Sequence, residues 1–73
     1  MDKQTFTGNM MERGYELRFG HNGNITATKG ENTVRLVPLA NYIVYINTPA
    51  VTAITREGAT DAETFGIIDG LTA

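Results

Sequence analysis

The stretch Tyr15-Glu16-Leu17-Arg18-Phe19-Gly20-His21-Asn22-Gly23-Asn24-Ile25-Thr26-Ala27-Thr28-Lys29 decides the local fold. Tyr15, Leu17 and Phe19 alternate with Glu16 and Arg18, His21-Asn22-Gly23 interrupts, and Ile25 and Ala27 then alternate with Thr26 and Thr28. Period-two alternation on both sides of a turn signal reads as a β-hairpin. Opposed residues share a face, so the register follows from keeping the apolar set together. A three-residue loop, His21-Asn22-Gly23, sets Phe19 against Ile25, Leu17 against Ala27 and Tyr15 against Lys29, and leaves Glu16, Arg18, Thr26 and Thr28 on the other side. Gly23 then takes the left-handed position that closes such a loop. An Asn22-Gly23 loop would set Phe19 against Thr26 and scatter the apolar face.

Upstream of the hairpin, Asp2 to Arg13 reads as a short helix. Asp2 caps it, Phe6 and Met10 lie one turn apart, and Arg13 followed by Gly14 ends it. Gly8 weakens it by about 1 kcal/mol relative to alanine, so it needs the sheet to pack against.

Downstream, Gly30-Glu31-Asn32 turns the chain into a third strand from Thr33 to Leu39. With Glu31-Asn32 as the loop, Leu36 is expected opposite Ala27 and Arg35 opposite Thr28, in line with Glu16. Pro38 has no amide to donate and marks an edge, a bend or the strand's end. Tyr42-Ile43-Val44-Tyr45-Ile46 is apolar without alternation, the pattern of a strand covered on both faces. A buried helical turn is the competing reading. Asn47-Thr48-Pro49 breaks it, and residues 50–56 supply a further strand with Val51, Ala53 and Ile54 as expected burial positions. Thr60-Asp61-Ala62-Glu63 is a capping box opening a last helix whose inward stripe is Ala62, Phe65, Ile68 and Leu71 or Thr72. The fold class is therefore one small α+β domain over residues 1–73: a short N-terminal helix, an antiparallel meander of about four or five strands, and a capped C-terminal helix.

Composition narrows the function classes. The chain has 73 residues, a net charge of -2 and no cysteine. At this size only about 60% of the unfolded chain's surface is buried, and small domains commonly add a disulfide, a metal or a partner subunit. With disulfides excluded, self-association is expected, a dimer first. Lys3, Arg13, Arg18, Lys29, Arg35 and Arg56 are scattered, unlike the clustered cations of a phosphate-backbone binder. No apolar run reaches the length of a membrane span, and the opening MDKQTFTGN carries no signal-peptide pattern, so a cytoplasmic location is expected. Asn24-Ile25-Thr26 matches a glycosylation sequon but reads as chance without such a signal.

No catalytic, cofactor or metal site is expected. The sequence lacks serine, cysteine and tryptophan, and His21, its one histidine, sits at a hairpin tip. Nucleophilic catalysis needs an activated hydroxyl or thiol beside a base, and zinc needs three or four nitrogen or sulfur ligands. Asp61 and Glu63 are absorbed by the helix cap, and Gly20-His21-Asn22-Gly23 lacks the spacing and lysine of a phosphate loop. The threonines fall mostly on strands, where they serve a solvated sheet face.

What remains is apolar surface between Val37 and Ile54. Ile43 and Tyr45 point opposite to Tyr42, Val44 and Ile46, so the second face needs a cover: the C-terminal helix or a partner chain. The expected interface is Tyr42, Ile43, Val44, Tyr45 and Ile46. In layout, a short helix running into a meander in a small acidic chain is similar to many small phage and mobile-element proteins, including some CRISPR inhibitors. That resemblance covers the first half and implies action on a protein partner, as inhibitor or adaptor. The expected function is a non-catalytic protein-interaction module. Two alternatives are a nucleic-acid-binding accessory protein, if the arginines converge in space, and a small enzyme whose site is shared across a subunit boundary.

Overall fold

A computed structural model of the chain describes residues 1–38 and 42–73. Its elements run α1 (Lys3–Glu12), β1 (Glu16–Phe19), β2 (Ile25–Lys29), β3 (Asn32–Val37), β4 (Ile43–Asn47), β5 (Thr52–Ile54) and α2 (Asp61–Thr72), an α+β arrangement. The five strands pair antiparallel in chain order, β1-β2-β3-β4-β5, as a meander. Leu39, the expected end of the third strand, lies outside the described residues.

Helix α1 follows its sequence signals. The Asp2 carboxylate accepts the Thr5 amide at 2.7 Å, and the chain leaves the helix through Gly14 at φ +81. The first hairpin has the expected register, Phe19 on Ile25 and Leu17 on Ala27. Its tip is a three-residue loop, His21–Gly23, closed by the Gly20 amide donating to Asn24 O at 2.9 Å, with Asn22 and Gly23 both left-handed (φ +62 and +77).

The β2–β3 turn departs from expectation. Lys29 pairs with Asn32, so Gly30-Glu31 forms the loop, Ala27 meets Val34, and Arg35 meets Thr26 rather than Thr28. Gly30 has φ +59, which suits the first loop position of a tight hairpin turn, where glycine is favoured. The apolar face survives because the pairing moves by an even number of residues, and the partners along the other face change.

Both helices lie on one side of the sheet. Phe6 and Met10 of α1 and Phe65 and Ile68 of α2 join Tyr15, Ile25, Ala27, Val34, Leu36, Val44 and Ile46 in a single core. The C-terminal helix therefore does not cover the second face. In α2, Ala62 is exposed and Thr64 is buried in its stead, its hydroxyl donating to Thr60 O at 3.0 Å. The capping box forms as read: Glu63 N donates to Thr60 Oγ1 at 3.1 Å, and Thr60 N to Glu63 Oε1 at 3.3 Å. Val51 and Ile54, expected inside, are 41% and 59% exposed. β5 is an edge strand in which Ala53 takes the inward position, so its neighbour Ile54 points away. The buried residue after it is Thr55, whose hydroxyl accepts the Val44 amide at 3.1 Å while its own amide donates to Val44 O at 3.0 Å.

Candidate functional site

Alternation along each strand sends every second residue to the face away from the helices. The registers line these residues up in rows. One row reads Arg18, Thr26, Arg35, Tyr45, Ile54 from β1 to β5, the next reads Glu16, Thr28, Thr33, Asn47, Thr52, and Val37 pairs with Ile43 at the other end. Val37, Ile43 and Tyr45 are half-buried by their neighbours on the sheet, and Ile54 is exposed. The result is an apolar patch toward β3–β5 bordered by threonines and two arginines.

Of the expected interface residues, Ile43 and Tyr45 stand on this open face. Val44 and Ile46 are 1% exposed in the chain's own core, and Tyr42 packs against that core from a left-handed backbone (φ +47). β4 is paired on both sides, with β3 and β5, so its side chains rather than its backbone edge are available.

The electrostatics of the face differ from those of the rest of the surface. The chain has four arginines. Arg13 is bidentate on Asp69, at 2.7 and 3.0 Å, with its guanidinium 4.9 Å from the Phe65 ring centre. Arg56 pairs with Glu63 at 2.7 Å. Arg18 and Arg35, by contrast, have no carboxylate within ion-pair distance among the described residues. The Arg35 guanidinium lies 5.5 Å from the ring centre of Tyr45, its cross-strand partner, a cation–π contact that orders it over the open face. Glu16 is the one carboxylate among the described strand residues of this face.

Three carboxylates, Asp2, Glu63 and Asp69, are held ionised by their partners. Asp2 is lowered below its ordinary value chiefly by the Thr5 amide, Glu63 by Arg56 and then Thr60, and Asp69 by Arg13. These groups cap and clasp the helices. The Arg13–Asp69 pair joins the end of α1 to α2, and Lys29 Nζ donates to Arg13 O at 2.8 Å.

A cleft of about 620 Å³ beside this clasp is lined by Arg13, Tyr15, Lys29 and Asp69 among others. Arg13 and Asp69 neutralise each other there, and Lys29 contacts the end of α1 and lies 5.9 Å from the Tyr15 ring centre. The buried Tyr15 hydroxyl has no partner among the described residues. Lys29 with its spare donors does not by itself select a ligand class. His21 is exposed at the hairpin tip. Among the described residues no three His, Asp or Glu side chains are grouped to hold a metal ion, and no helix is long and apolar enough to cross a membrane.

The alignment of Arg18 with Arg35 escaped the sequence reading because it depends on the β2–β3 register. The signal was present in Gly30: a glycine best used at the first position of a two-residue loop places Arg35 across from Thr26. No known protein family, curated protein or solved structure matches this chain.

Proposed function

We propose that this chain is a non-catalytic protein-interaction module that docks on a partner through the open face of its sheet, acting as an inhibitor or adaptor of the kind small phage and mobile-element proteins supply. One observation carries the reading: Val37, Ile43, Tyr45 and Ile54 form a patch on a face that no part of the described chain covers, while the opposite face packs on two helices and leaves only its β1 end, at Phe19, open among the described strand residues. Exposed apolar groups rimmed by polar residues are the usual mark of a docking surface. The alternative of a nucleic-acid accessory draws less support. A phosphate-backbone binder neutralises several phosphates, and the face offers two arginines against one glutamate.

The test is affinity capture from the native host with the parent chain, Ile43→Lys, Tyr45→Lys and, on the helical side, Ile67→Lys as control. A protein retained by the parent and the control and lost by both open-face variants, whose melting temperatures stay near the parent's, is the expected result. Equal retention by all four chains would overturn the reading.

A further inference from the structure

The charge on the open face points to the chemistry of what it binds. Among its paired strand residues the face carries two arginines and one glutamate, so a chain of net charge -2 has a positive excess along these rows of the uncovered sheet. The arginines also differ in their partners. The two off the face are each held by a carboxylate, Arg13 by Asp69 and Arg56 by Glu63, whereas Arg18 and Arg35 have none among the described residues. They share one row with Thr26 between them, which sets their backbones about 10 Å apart at the usual strand spacing. Tyr45 follows in the same row and orders the Arg35 guanidinium.

We propose that the occupant of this face is an acidic polypeptide surface. Its carboxylates meet Arg18 and Arg35, and its aliphatic or aromatic side chains cover Ile43, Tyr45 and Ile54. This rests on the docking reading above and names the partner's chemistry. An arginine without an internal carboxylate breaks no ion pair to meet one, and the fork of the guanidinium suits that group. A second copy of the chain fits less well. Two identical faces would bring four arginines together with two glutamates, and burying unmatched charge is costly.

The probe is a random copolymer of glutamate and tyrosine, titrated into the intact ¹⁵N-labelled chain and followed by backbone amide shifts. Polyglutamate and oligothymidylate serve as comparison polyanions. The expected result is that the copolymer shifts the amides of Arg18, Thr26, Arg35, Tyr45 and Ile54, binds more tightly than polyglutamate, and weakens with added salt. Arg35→Glu and Arg18→Glu should each reduce affinity by about tenfold or more, while Lys3→Glu, the same charge change on α1, leaves it unchanged. Shifts confined to the helical side, or binding of oligothymidylate as tight as the copolymer's, would overturn the proposal. So would concentration-dependent dimerisation in sedimentation that Tyr45→Lys abolishes, because a second copy would then occupy the face. A host protein captured through Ile43 and Tyr45 but indifferent to salt and to Arg35→Glu would remove the acidic partner and leave the interaction module standing.

Discussion

The two faces of this sheet are made by alternate residues of the same five strands, yet they do different work. The covered face presents Ile25, Ala27, Val34, Leu36, Val44 and Ile46 to two helices, and all six are buried. The open face presents Arg18, Thr26, Arg35, Tyr45 and Ile54 to whatever lies outside. Sheet propensity is served equally by both sets, since threonine, tyrosine and isoleucine are good strand formers. The difference therefore teaches that stability is concentrated on one side, which leaves the other side's residues free for binding.

Leu36→Ala is the strongest way to sharpen this contrast. Leu36 is 0% exposed, and its truncation is expected to cost about 2–5 kcal/mol. That is a large share of the roughly 4–11 kcal/mol typical of a domain this size, and denaturant midpoints measure it. A loss below about 1 kcal/mol would mean that the helices do not close the face.

Gly23→Val comes next, at about 1–2 kcal/mol, because valine resists the left-handed backbone that the hairpin tip requires. A Cβ there would lie 2.7 Å from Lys3 Nζ, the movable end of a side chain, so the cost comes mainly from the backbone. His21→Ala in the same loop should leave the midpoint unchanged, as should Asn22→Gly.

Thr60→Ala should cost about 1 kcal/mol, since the Glu63 amide loses its cap. Acid should act on the same side of the molecule. The lowered carboxyls of Asp2, Glu63 and Asp69 are ionised more readily in the fold than in the unfolded chain. Their stabilisation is complete above the ordinary carboxylate range and is lost as pH falls through the lowered folded values. Midpoints measured from neutral to strongly acid pH should decline in that window, and Glu63→Gln with Asp69→Asn should flatten the decline.

The smallest effect belongs to the open face. Ile54→Thr and Arg18→Gln should change the midpoint by no more than about 0.5 kcal/mol, as surface substitutions do. A cost near that of Leu36→Ala would break the comparison and show the open face to be part of the folding core, as when another chain covers it.

Much of the fold was legible in the residues alone because its signals are local. Period-two alternation around His21-Asn22-Gly23 set the first hairpin's register. Asp2 and Thr60 placed the two helix starts, and Gly14 ended the first helix. The β2–β3 register was less secure: Glu31-Asn32 and Gly30-Glu31 both keep Ala27, Val34 and Leu36 on one face, so burial alone cannot choose between them. Ile54 and Ala62 were misplaced inside for a related reason, since an apolar residue on an edge strand or at a helix start is buried only if something reaches it. In this chain the sequence alone determined the elements, their order and the register of the first hairpin, each written by residues within a turn or a strand of one another, though Phe19 on its apolar side is left 66% exposed. The tertiary structure decided that both helices share one side of the sheet, leaving Tyr45 uncovered and aligning Arg18 with Arg35, because these outcomes depend on packing between segments far apart in the chain.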